Sequence, residues 1–224
     1  LAFPEQLKKL REMIVTYNNN GNAPDYEFLE RLLIDSGAGG GGVSLTDGLL
    51  ESWSDKKGTK HKGFLDIEAD TYKGFDKRYP NNSNKLTLIS PIKYRTQMVD
   101  EYIDLMSLDL IKFPKEYDGR GYVVQEKEVN GEVQLTNINL TKEQELSLIQ
   151  IDILKTELTS IYKYENPEKT SRTYKLPKDK EKKMNDDRFY TVIMLSHYLS
   201  ELRRKNQVRQ KATNKSILEY CSFL

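Results

Sequence analysis

A single cysteine, Cys221, and two histidines, His61 and His197, occur in 224 residues. One thiol excludes a disulfide framework and a cysteine-based metal site, and it suits a reducing, intracellular compartment. Nothing around the two histidines supports a Ser-His-Asp or Cys-His nucleophile arrangement. No apolar run approaches the roughly 18 residues of a membrane span, and the start lacks the charged-then-apolar pattern of a signal peptide. Net charge is lacking too. The 35 Lys and Arg against 34 Asp and Glu leave +1, so only the distribution of charge bears on a nucleic-acid partner. The first residue is Leu1 rather than Met, which leads us to expect a fragment or a processed piece.

What is present suffices for one ordinary domain with an appended tail. Leu7, Leu10, Ile14 and Tyr17 recur at helical spacing over 4–17, with Pro4 in the first turn. Residues 18–24 read as a polar turn, 26–31 as a short helical lead-in, and Leu32-Leu33-Ile34-Asp35 as a buried strand. After a glycine run, Ser44 to Asp47 can cap a helix reaching Trp53. Residues 63–67, 86–89 and 110–114 read as short strands, the last ended by Pro114, and Pro91 opens a helix through Met106. Tyr122 to Val129 and Glu132 to Ile138, joined by Asn130-Gly131, form the strongest hairpin signal in the chain. Thr141 and Gln144 form a capping pattern for the helix carrying Leu148, Ile149, Leu154, Leu158 and Ile161. Residues 166–183 read as a polar loop. Asn185-Asp186-Asp187 then opens a long helix with Phe189, Val192, Ile193, Ser196, Leu199 and Leu202 along one side. Strands alternating with helices, plus one antiparallel hairpin, make this an α/β or α+β chain with a mixed sheet.

The chemistry centres on acids. Asp35 ends an apolar strand and is followed by Ser36-Gly37-Ala38-Gly39-Gly40-Gly41-Gly42, where the backbone can turn tightly. Asp186 and Asp187 stand at a helix start. Three carboxylates are the hard oxygen ligands that Mg²⁺ or Mn²⁺ prefer, and two such ions suit phosphodiester cleavage. The simpler assignments are a turn cap for Asp35 and a helix N-cap for the Asp pair. Gly37-x-Gly39-x-x-Gly42 also satisfies the dinucleotide fingerprint, although a helix precedes its strand and Asp35 would repel a pyrophosphate. No Lys-Ser/Thr follows the glycines, so a P-loop is a poorer match. Lys56, Lys57, Lys60 and Lys62, with Lys178, Lys180, Lys182 and Lys183, are either solvated surface or contacts to a phosphate backbone. His61, in a lysine-rich turn, is expected to be exposed.

These residues together resemble the C-terminal nuclease domain of phage large terminase subunits. The resemblance rests on Leu33 to Gly42, on KLTLISPIKYRTQM from Lys85 to Met98, on LIKFP from Leu110 to Pro114, and on NDDRFYTVIMLSHYLSELRR from Asn185 to Arg204. It spans about residues 1–205 and leaves 206–224 as a basic C-terminal tail. It implies an RNase H-like mixed sheet flanked by helices, with an added hairpin near 122–138. It also implies a two-metal Mg²⁺- or Mn²⁺-dependent endonuclease held by Asp35, Asp186 and Asp187. Implied partners are double-stranded DNA, a terminase ATPase domain, the small terminase subunit and the portal, in the cytoplasm of a host cell and away from any membrane. Asn185 stands where relatives often carry His. The family's first catalytic Asp falls upstream of Leu1, so weak or absent activity is expected of this chain alone. A non-catalytic piece that binds DNA or packaging partners is the alternative, and a dinucleotide-binding domain a further one.

Overall fold

The computed structural model describes residues 2–22, 24–37, 41–129, 131–166 and 171–221. It is a mixed α/β chain of five α-helices and four small two-stranded sheets among the described residues. The chain divides into two units, Leu1–Tyr94 and Arg95–Leu224. No helix among the described residues is long and apolar enough to cross a membrane.

The first unit begins with α1 (Phe3–Tyr17), whose Ile14 is buried while Tyr17 is exposed. β1 (Leu32–Asp35) pairs in parallel with β4 (Leu86–Ile89), with Asp35 opposite Ile89. Between them lie α2 (Gly41–Leu49) and the short antiparallel pair β2 (Trp53–Ser54) and β3 (Lys60–His61). Ile14, Tyr26, Ile34, Leu49, Trp53, Phe64 and Leu86 form the core of this unit. Leu50, Leu65 and Tyr72 form a second, smaller cluster.

Three expectations for this unit change. The helix expected from Ser44 to Trp53 begins earlier, at Gly41, and ends at Leu49. Its end is satisfied from distant segments: the Leu49 carbonyl accepts the Phe64 N–H (2.8 Å), and just past the helix the Leu50 carbonyl accepts the Asn82 amide (2.7 Å). The strand expected at 63–67 reduces to one parallel bridge between Phe64 and Ser83. Beyond it, the Leu88 N–H on β4 donates to the Asp66 carboxylate at 2.7 Å, so a side chain occupies the place of a strand carbonyl. That buried carboxylate also blunts the free edge of β4. The helical lead-in expected at 26–31 is a single 3-10 turn, Pro24–Tyr26, followed by a turn and extended chain.

The second unit holds most of α3 (Pro91–Ser107), the hairpin β5 (Tyr122–Val129) and β6 (Glu132–Asn139), and α4 (Lys142–Ser160). A second hairpin follows, β7 (Tyr162–Asn166) and β8 (Ser171–Lys175), and then the 35-residue α5 (Asp187–Cys221). The expected capping box is present. Thr141 Oγ1 accepts the Gln144 N–H and the Gln144 side chain accepts the Thr141 N–H. The expected hairpin is present also, with its Asn130 outside the described residues, and every residue of β6 is exposed.

Two expectations here are corrected. Residues 110–114 form no strand. α3 closes with the Leu110 N–H bonded to the Leu105 carbonyl and Asp109 at φ 56°, a left-handed helix stop. Ile111 and Phe113 still alternate inward, but the segment has no partner strand among the described residues. The loop expected at 166–183 contains β8, held by side chains of α3. The Tyr174 hydroxyl and Arg172 both reach the Asp100 carboxylate, and Arg95 donates to the Tyr174 carbonyl (3.2 Å).

Candidate functional site

Asp35 emerges at the C-terminal end of β1 because the apolar run ahead of it pairs with β4 and buries Ile34. Its side chain is exposed, and the Gly37 N–H donates to its Oδ1 at 2.7 Å. That is the turn cap expected of an isolated acid, and it engages Oδ1; no described residue donates a hydrogen bond to Oδ2. Gly39 of the dinucleotide pattern lies outside the described residues. The role of Gly42 is visible: a Cβ there would stand 1.7 Å from the Asp35 carbonyl oxygen. The glycine lets the start of α2 pack directly onto the end of β1.

Asp186 and Asp187 begin α5 in the second unit. The Asp186 carbonyl accepts the first helical bond, from the Tyr190 N–H (3.1 Å). A helix start leaves its leading N–H groups without internal partners, and it favours a nearby negative charge. Glu157 of α4 supplies that charge. Its carboxylate, 1% exposed, accepts the N–H groups of Arg188 and Phe189, each at 3.1 Å, and the Arg188 guanidinium at 2.7 Å. Arg188 is held in turn by the Gln150 side chain, at 2.6 and 3.0 Å. The N-cap role open to the Asp pair is therefore filled at these two N–H groups from another helix. Asp187 is exposed and Asp186 is half-buried. Burial pushes the Asp186 carboxyl above its ordinary range. Its own N–H and Arg95 oppose that shift, while the charges of Asp187 and Glu157 add to it.

The lysines fall in two groups. In the first unit Lys57 and Lys60 are exposed, Lys56 pairs with Glu12 (2.8 Å), and Lys62 pairs with Asp25 (2.5 Å). Both pairs are solvent-exposed, so a phosphate can exchange for the carboxylate at little cost. In the second unit Lys178, Lys182 and Lys183 are exposed, while Lys180 reaches the Ser160 hydroxyl at 3.2 Å.

His61 is not exposed as expected. It is 8% accessible, stacks on Trp53 with centroids 4.4 Å apart, and bonds Asp55 at 3.1 Å. Asp55 also accepts the N–H groups of Lys57 and Thr59, so the buried pair pins the basic loop to the core. His197 packs against buried Glu101 at 2.6 Å. Burial raises the Glu101 carboxyl, but hydrogen bonds from His197, Arg204 and Gln97 outweigh it and hold the group below its ordinary range.

The structure thus brings Asp186 and Asp187 together with Glu157, Arg188 and Gln150, and it sets Asp35 in the other unit. Among the described residues, no group of three or more His, Cys, Asp or Glu side chains is arranged to hold a metal ion. Glu157 was missed in the sequence. Its signal was a carboxylate set among Leu154, Leu158 and Ile161, on the apolar stripe of its own helix. Compared with protein-family models, curated proteins and solved structures, the chain matches none.

Proposed function

We propose that this chain is the nuclease part of a phage DNA-packaging terminase, an RNase H-like, metal-dependent endonuclease acting on double-stranded DNA. The observation that carries the reading at the structural level is the start of α5. Because Glu157 takes the Arg188 and Phe189 N–H groups, the carboxylates of Asp186 and Asp187 are not consumed by them. Asp35, at a parallel strand end beside the glycine run, is the third proposed ligand.

The donor set fits Mg²⁺ or Mn²⁺ in kind, since all three groups are hard oxygen ligands. When bound, the divalent cation supplies Lewis-acid stabilisation of charge on the phosphoryl oxygens. Asp186 holds its proton to higher pH than an ordinary aspartate. It must release that proton before it can serve as a ligand, so activity rises with pH through that range. Lys56, Lys57, Lys60 and Lys62, with Lys178, Lys180, Lys182 and Lys183, hold backbone phosphates. The proposed setting is the host cytoplasm, with the terminase ATPase domain, small subunit and portal as partners.

The test is plasmid nicking in Mn²⁺ by the full chain and by Asp35→Ala, Asp186→Ala and Asp187→Ala. Nicking that each substitution abolishes supports the reading. Nicking that all three variants retain would sink it, and DNA binding with no nicking in any metal assigns the chain to the non-catalytic alternative.

A further inference from the structure

The segment after Leu202 has a composition unlike the rest of the chain. From Arg203 to Ser216 it carries six cations, Arg203, Arg204, Lys205, Arg209, Lys211 and Lys215, and no acid. The remaining positions are the amides Asn206, Gln207, Gln210 and Asn214, the hydroxyls Thr213 and Ser216, and only Val208 and Ala212 as apolar residues. The backbone is helical throughout, because α5 runs to Cys221. Residues 203–208 are all exposed, Val208 at 67%.

The root of this helix is fixed within its own unit. Buried Glu101 of α3 accepts from Arg204 at 2.8 Å and bonds His197 at 2.6 Å. Both partners lie on α5, one on either side of Ser200. A cleft of about 180 Å³ is lined there by Glu101, Asp104, Ser200, Arg203 and Arg204. Arg204 is therefore committed to the fold. Among the described residues, Arg203 and Lys205 have no ion-pair partner.

We infer that residues 203–216 of α5 form a nucleic-acid-binding arm, a contact distinct from the lysines of 56–62 and 178–183. Over 203–216 the helix has only Val208 and Ala212 as apolar positions, too few for a face to lay on a membrane or into a protein groove. Lys205 and Arg209, like Lys211 and Lys215, are like charges four residues apart, which destabilise a helix unless an anion screens them. Arg, Lys, Asn and Gln are also the residue types that bond phosphates and base edges, and the duplex major groove admits a helix. At 1.5 Å per residue the arm is about 21 Å long, enough to follow one groove across several base pairs. The inference draws on the proposed DNA-directed function only for its choice of polyanion. Binding is measured in EDTA, so a failure to cleave leaves it untouched.

The experiment titrates salt against binding of the full chain to a labelled duplex, alongside the triple variant Arg209→Gln, Lys211→Gln, Lys215→Gln. Glutamine keeps helix propensity, and an unchanged melting temperature verifies the fold. The slope of log affinity against log salt is expected to fall by about 3 in the variant, with affinity at about 50 mM salt reduced at least about tenfold. The parallel variant Lys56→Gln, Lys57→Gln, Lys60→Gln tests the other basic group and should lose affinity independently. Failure of the wild-type chain to bind the duplex, or an unchanged slope in the arm variant, would overturn the inference. So would competition by poly-glutamate equal to that by DNA at matched charge, which identifies an acidic protein surface as the partner.

Discussion

Two acids in this chain lead into helices, and the two helix starts are built in opposite ways. After Asp35 the problem is crowding, met by omitting a side chain: Gly42 lets α2 begin against the Asp35 carbonyl. At Asp186 the problem is unpaired N–H groups, met by adding a charge from a distant helix, the buried carboxylate of Glu157. The first solution is written locally, in a glycine seven residues from the acid. The second is non-local, across about thirty residues of chain, and it leaves both aspartates at the helix mouth exposed or half-exposed. Gly42, the last residue of the glycine run, is therefore explained by packing. An acidic pair at a helix start, in turn, need not be the helix's own cap.

The largest expected effect breaks the second solution. Glu157→Ala removes the acceptor of Arg188 Nη1 and of two helix N–H groups, leaving the guanidinium only Gln150, and it should cost about 3 to 5 kcal/mol in urea unfolding. Glu157→Gln should recover part of that loss, since its amide oxygen still accepts. A cost below about 1 kcal/mol for the alanine variant would show that water caps α5 as well as Glu157 does.

Next in size is the first solution. Gly42→Ala forces a methyl against a backbone oxygen and should cost about 1 to 3 kcal/mol. Gly41→Ala is its control, because a Cβ there meets nothing within 4 Å among the described residues. In a helix that change should be neutral or stabilising by up to about 1 kcal/mol. Equal effects at the two positions would remove the close approach as the reason for the glycine.

The smallest effect sharpens the contrast between the acids. A carboxyl whose value is raised in the folded state binds more protons there than in the unfolded chain, so stability falls as pH rises through that window. For Asp186 the window opens at its ordinary value of 3.8 and closes at its raised folded value. Asp186→Asn removes this penalty. It should raise the melting temperature at neutral pH by less than either change above alters it, and the gain should vanish below pH 3.8. No gain at neutral pH would mean that Asp186 is not held against its charge.

The two hairpins show why some of the fold was legible and some was not. β5 and β6 announce themselves through Asn130-Gly131 and alternating runs, although every residue of β6 is exposed. β7 and β8 carry no such turn signal, and Asp100, Arg95 and Thr96 of α3 hold β8 in place. Polar anchoring of that kind leaves no hydrophobic period to read in β8, Ser171–Lys175. The run at 110–114 shows the converse: its alternation is real, but a strand exists only when another strand pairs with it.

Local chemistry was enough to place Asp35 at a strand end, Asp186 and Asp187 at a helix start, and the capped helix at Thr141. Each depends on residues within a few positions, where propensity, turn geometry and capping act. Only the folded chain could bring Glu157 to the start of α5, bury His61 against Trp53, and let the Asp66 side chain end a ladder. Those outcomes are contacts between segments distant in sequence. Burial and electrostatics there depend on which surfaces meet, and no local pattern encodes that meeting.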